Sequence, residues 1–125
     1  MKLTLENNPD LNLVTGYGAN HLMINKVRHE GNLMLSADRV VHGWAPGGFD
    51  GLGVDDFAAI LELAPEVVII GTGSQLRFPP HALLRPLIDA GTGFEFMDLA
   101  AACRTYNILA NEGRAVVAAL LFDSD

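Results

Sequence analysis

Cysteine is almost missing from this chain of 125 residues: Cys103 is the only one. One thiol excludes an intrachain disulfide and any zinc site built from several cysteines, and it accords with a reducing compartment. Basic side chains are scarce as well. Eight lysines and arginines face fifteen aspartates and glutamates, a net charge of −7. No basic cluster exceeds the pair Lys26 and Arg28. Such a field repels phosphate backbones and anionic membrane surfaces, so no nucleic-acid partner is expected.

Long apolar runs are lacking too. Proline, glycine, aspartate or arginine interrupts each one before the ~20 residues that span a bilayer, so no membrane insertion is expected. The opening Met1-Lys2-Leu3-Thr4-Leu5-Glu6-Asn7-Asn8-Pro9 holds neither an apolar signal core nor an arginine-rich presequence. A cytoplasmic location follows as the expectation. Internal repeats and low-complexity tracts are absent.

What is present suffices for one core. Half of the residues are hydrophobic, and a chain of this length buries roughly two-thirds of its unfolded surface without disulfides or metal. A single α/β domain over residues 1–125 is the expectation. Apolar stretches at 11–17, 21–27, 33–35 and 40–44 are separated by Gly18-Ala19-Asn20, His29-Glu30-Gly31-Asn32 and Ser36-Ala37-Asp38. Leu22 and Ile24 alternate with Met23 and Asn25, which fits an antiparallel meander. A connector rich in glycine and proline covers residues 45–53.

Beyond it the period changes. Val54, Phe57, Ala58 and Leu61 follow helical spacing, with Asp55 and Asp56 in the first turn and Pro65 as the stop. Val67-Val68-Ile69-Ile70 reads as a strand buried on both faces. A second helix is expected from about Pro79 to Ala90, kinked at Pro86 and ended by Gly91. Residues 94–97 form the next strand, expected with 67–70 and 116–121 among the central strands of the sheet. Asp98 then caps a third helix, with Leu99, Cys103, Tyr106 and Ala110 along one face and Gly113 at its end. Residues 115–122 give the last buried strand. Helix and strand alternate through this half, which implies a largely parallel sheet, with the meander added to one side.

Two motifs carry a resemblance. The first is Val67-Val68-Ile69-Ile70-Gly71-Thr72-Gly73-Ser74-Gln75 followed by Phe78-Pro79-Pro80. The second is Phe96-Met97-Asp98 with Thr105-Tyr106-Asn107-Ile108-Leu109-Ala110-Asn111-Glu112-Gly113-Arg114. In that order they resemble the domain-of-unknown-function family that includes mitochondrial NADH dehydrogenase (respiratory complex I) assembly factor 3 and many uncharacterised bacterial proteins. The resemblance covers nearly the whole chain. It implies a three-layer α/β fold with a mixed central sheet, three helices and an additional N-terminal antiparallel β layer. It brings no established catalytic residue. The eukaryotic relative works by binding partner proteins during complex assembly, so a protein partner is implied here. The chain departs from that relative in lacking a presequence, which points to a bacterial protein, and in placing Pro86 where an unbroken helix is expected.

The candidate ligand or partner site is Gly71, Thr72, Gly73, Ser74 and Gln75, with Arg77 and Asp98 nearby. The loop follows a parallel strand, at the edge where open α/β sheets take ligands, and its amides and hydroxyls suit an anion. The plainer reading of the same loop is a tight strand-to-loop turn. The dinucleotide fingerprint fails at Leu76, and no Gly-Lys-Ser/Thr ending supports a phosphate loop. Asp98 is a helix cap on the simpler reading and a cleft carboxylate on the other, and Arg104 and Asn107 are expected on the exposed helix face opposite Tyr106, as candidates for an interaction surface. His21, His29, His42 and His81 form no helical i, i+4 pair, so no metal and no cofactor is expected. Cys103 reads as a buried thiol. Ser36, Ser74 and Ser124 lack a triad context. Trp44, Pro46 and Phe49 either anchor a partner or cover a sheet edge. A non-enzymatic protein-interaction or complex-assembly factor is the expectation. The alternative is a protein, an enzyme included, that binds an anion or nucleotide at the 71–75 loop. A homo-oligomer is compatible with either.

Overall fold

Hairpins build the N-terminal part, and their turns decide the register. The computed structural model describes residues 10–123; the opening nonapeptide, on which the missing leader was read, and Ser124 lie outside the described residues. Strand β1 (Val14–Tyr17) pairs antiparallel with β2 (His21–Ile24), and β2 with β3 (Val27–Glu30). The run 21–27, expected as one strand, breaks at Asn25-Lys26. Both residues take positive φ, 48° and 69°, as a two-residue hairpin turn matched to strand twist requires. No glycine marks the turn; side chains hold it instead. Asn25 accepts from the Leu13 N–H at 3.0 Å and donates to the Leu11 carbonyl at 2.9 Å. The Lys26 N–H donates to Thr15 Oγ1 at 2.9 Å. His29 and Glu30, expected in a separator, therefore belong to β3.

The meander does not stay together. β1, β2 and β3 form their own sheet, while β4 (Leu33–Leu35) and β5 (Val40–His42) join a five-stranded sheet ordered β5-β4-β8-β6-β7. Here β6 is Val67–Thr72, β7 is Gly93–Met97 and β8 is Val116–Leu121. β6 pairs in parallel with both β8 and β7, and β4 pairs antiparallel with β5 and β8, so the sheet is mixed. Its parallel part is β8-β6-β7. Residues 94–97, expected among the central strands, lie at an edge.

Two faces of the sheet make two apolar layers. Alternation along β8 sends Val116, Ala118 and Leu120 to one cluster and Val117, Ala119 and Leu121 to the other. This is the period-2 geometry of a strand buried on both sides. The first layer joins the sheet to helix α3 (Leu99–Asn111) and to Val14, Leu22 and Ile24 of the small sheet. The second joins it to α1 (Val54–Ile60) and α2 (Arg85–Asp89) through Phe57, Ile60, Leu84 and Leu87. Helices on one face, then the sheet, then α3 with the small sheet give the three layers.

Two helices differ from expectation. In α1 the buried positions are Phe57 and Ile60, while Val54 is 45% exposed. The helix tightens into a 3-10 turn at Leu61–Leu63 and stops at Ala64 in the left-handed region, before Pro65. The segment expected as one kinked helix is a 3-10 turn at His81–Leu84 followed by the short α2, with Pro86 in the first turn of α2. A missing N–H costs nothing there, because first-turn amides have no helical partner. Pro86 starts a helix instead of bending one.

α3 matches its reading. Leu99, Cys103, Tyr106 and Ala110 are buried, and Gly113 follows its end with φ 80°. Asn107 corrects it: the side chain is buried, not on an exposed face. Its amide accepts from the Val14 N–H at 2.9 Å and donates to the Val14 carbonyl at 2.8 Å. A polar side chain is tolerated inside because both of its functions are satisfied. The pair clips β1 onto α3. No helix among the described residues is long and apolar enough to cross a membrane.

Candidate functional site

The parallel strands β6, β7 and β8 all point their carboxyl ends the same way, and the segments leaving them meet. Gly73 and Ser74 follow β6, Asp98 follows β7 and Asp123 follows β8. The β1–β2 turn, residues 17–19, closes the other side. Together they border a cleft of about 320 Å³ at the start of α3. Open α/β sheets take ligands at this edge.

The candidate residues do not all reach it. Gly71 lies beneath α3: a Cβ there would come within 2.9 Å of Leu120 Cδ2 and 3.0 Å of Ala102 Cβ. Its glycine lets the helix approach the sheet. Thr72 is fully buried. Its hydroxyl donates to the Gln75 carbonyl at 2.7 Å and accepts from the Arg77 N–H at 3.0 Å, which folds the loop back on itself. Gln75 is exposed outside the cleft. The Arg77 guanidinium sits 4.2 Å from the centre of the Phe49 ring, a cation–π contact. Gly73, Ser74 and Asp98 do line the cleft.

The loop already holds a carboxylate of its own chain. Asp123 Oδ1 accepts from the Ser74 N–H at 3.0 Å. The Ser74 hydroxyl, that amide and the Arg77 charge hold the Asp123 carboxyl below its usual range. Gly73, at φ 87°, leaves room for this carboxylate, which a Cβ would strike. Asp98 Oδ1 accepts from the Ala101 N–H at 2.8 Å, the helix-capping bond expected of it, and Gly73 accepts from the Leu99 N–H at 2.7 Å. Two carboxylates thus border the cleft, a poor electrostatic match for a phosphate. Asp123 and the β1–β2 turn were not singled out in the sequence. For Asp123 the available signal was an acidic residue just past a buried strand.

Other reactive groups are tied down. Burial pushes the Cys103 thiol up to about 12, so it stays protonated. Burial likewise raises the Tyr106 hydroxyl, which donates to the Asn12 carbonyl at 2.7 Å. Ser36 Oγ donates to Asp38 at 3.0 Å. Trp44 is buried and its Nε1 donates to the Asp56 carbonyl at 2.8 Å, so it serves the core. His29 and His42, thirteen residues apart, meet across the two sheets. Their Nδ1 and Nε2 are 2.8 Å apart and the rings lie within 15° of parallel with centroids 5.0 Å apart, which sets them edge to edge. Among the described residues no three metal-binding side chains gather.

The exposed apolar surface lies elsewhere. Phe78 is 68% exposed and Leu76 is 50% exposed on the loop after β6. Phe78 packs edge-on against Phe96 of β7, centroids 5.7 Å apart, and Phe96 packs likewise against Phe94 at 6.1 Å.

Comparison with known proteins gives a consistent set of relatives. The family described as "Protein of unknown function (DUF498/DUF598)" matches residues 14–121. A protein of Bos taurus named NADH dehydrogenase [ubiquinone] 1 alpha subcomplex assembly factor 3 is 32% identical over 111 residues, 86% of this chain and 59% of that protein. An uncharacterised protein of Rhodobacter capsulatus is 36% identical over 110 residues, 86% of this chain and 82% of its own length. A Francisella tularensis protein named "13 kDa major membrane protein" is 42% identical over 57 residues, 46% of each chain. The matches thus span 46% of the Francisella protein and 59% of the bovine one. A solution structure from Bordetella pertussis, described as an Mth938-like domain, superposes with a TM-score of 0.80 at 33% identity, covering 100% of this chain and 94% of the other.

Proposed function

The chain belongs to the family of unknown function DUF498/DUF598, and on that premise we propose that it is a non-enzymatic protein-interaction or complex-assembly factor. The observation that carries the reading is the exposed Phe78, packed on Phe96, with the exposed Leu76 two residues before it. Aromatic side chains held rigidly at a surface are typical anchors of protein interfaces. The bovine relative's name, an assembly factor, supports the same direction. The protein would act in the cytoplasm of a bacterium.

Affinity capture from the native host, at native concentration, tests this. A second polypeptide should be recovered in stoichiometric amount. Recovery of the bait alone overturns the proposal.

The cleft favours one other reading, a small-ligand protein, because Ser74 and Asp98 converge there at the carboxyl ends of parallel strands. Two carboxylates favour a neutral or cationic ligand over the nucleotide or anion suggested by the loop sequence. A thermal-shift screen that includes amines, sugars and nucleotides separates the readings. A true ligand at 100 times its Kd adds ~2.7 kcal/mol of stability. A flat screen removes this reading for those compounds.

A further inference from the structure

β7 ends the five-stranded sheet, so one side of its backbone faces β6 and the other meets no strand among the described residues. Proteins commonly blunt such an edge with proline, with charged side chains, lysine above all, or with a bulge, because an open edge templates pairing with another chain. β7 reads Gly-Phe-Glu-Phe-Met, without proline or lysine, and its one charge is Glu95, which repels a like-charged strand but not a basic one. Its register with β6 runs without interruption from Val67↔Gly93 to Gly71↔Met97, so no bulge turns it aside. Phe78, 68% exposed, stands beside the strand against Phe96. We infer that the open edge of β7, with Phe78 and Phe96 beside it, docks an extended segment of a partner protein that adds as a sixth strand, apolar–basic–apolar in sequence, with its basic side chain opposite Glu95.

Charge selects this occupant. Glu95 is exposed at the middle of β7. A second copy, paired antiparallel about a twofold axis through Glu95, would set the two carboxylates directly opposite, an unfavourable cross-strand pair. Each copy also carries −7, which adds repulsion at longer range. A lysine or arginine opposite Glu95 turns that term favourable. Side chains alternate across a strand, so the neighbours of the basic residue fall on the face of Phe94 and Phe96 and need to be apolar. Backbone pairing supplies affinity and these alternate positions supply selectivity. The inference rests on the partner-binding reading proposed above and specifies the partner's chemistry.

Selection from a displayed library of random octapeptides, run in parallel on the wild type and on Glu95→Lys, tests it. Wild-type binders should share alternating apolar residues around a central lysine or arginine, and Glu95→Lys should exchange that residue for an acidic one. Titrating a selected peptide should shift the β7 amide resonances, and Phe78→Ser should weaken it at least tenfold with an unchanged melt. An empty selection, a charge preference that does not exchange, or shifts away from β7 overturns the inference. So does self-association of the wild type through β7. Host capture keeps the two proposals apart. A partner recovered equally by wild type and Glu95→Lys sinks the β7 site and leaves partner binding standing, whereas bait alone from the wild type sinks the functional reading, and the octapeptide selection still decides the edge.

Discussion

Asp98 shows how one side chain serves two descriptions. It borders the cleft, yet its Oδ1 is committed to the Ala101 N–H. If capping is its role, Asp98→Asn should leave the thermal melt nearly unchanged, since asparagine caps about as well, and Asp98→Ala should cost roughly 0.5–2 kcal/mol. An Asp98→Ala protein as stable as the parent contradicts the role. His29 supplies a second prediction at this scale. Burial first, and the neighbouring His42 second, lower its pKa from the ordinary 6.5. The unfolded chain therefore takes up the proton at higher pH than the folded one, so stability rises with pH across this range. The contribution is present above about pH 6.5 and is lost as pH falls through the lower folded value. Asp123 and Glu66, held below their ordinary 3.8 and 4.5, act only in the more acid limb. Melting temperature should drop between pH 7.5 and 5.5, and His29→Gln should flatten that slope. An identical slope in the variant refutes the assignment.

Elements differ in how clearly the sequence announces them. β6 and β8 are continuous apolar runs because both faces are covered, and α3 keeps a helical apolar period with a carboxylate cap, so all three are legible. The Asn25-Lys26 turn is not, because side-chain bonds to Leu11 and Leu13 replace the usual glycine. Pro86 misleads for a related reason: position within the helix decides whether proline starts or breaks it, and that start is set by packing of Leu84 and Leu87. The same distinction applies to the candidate loop. Its convergence with Asp98 follows from strand direction, whereas Asp123 arrives by the pairing of β8 with β6, which local sequence does not encode. Gly71 gives the element-scale prediction. Gly71→Ala presses a methyl group against Leu120 and Ala102 and should cost about 1–3 kcal/mol through overpacking between α3 and the sheet. Denaturant melts read this directly, and an unperturbed midpoint would show that the helix has room.

At the scale of the whole molecule, the three-layer arrangement follows from alternating patterns, while the split of the meander between two sheets depends on nonlocal pairing. β4 parts from β3 and, still paired with β5, joins β8, and Asn107 secures the small sheet by holding Val14 against α3. The result is a fold with a carboxylate-bordered cleft at the start of α3 and an exposed aromatic group beside β7. The aromatic surface is where the proposed partner would dock. Native mass spectrometry of the tagged protein, purified from its host at native expression, tests that claim most directly. The account predicts the 13.4 kDa chain bound to a second, different polypeptide. A spectrum of the chain alone, or of the chain carrying only a small molecule, would contradict it.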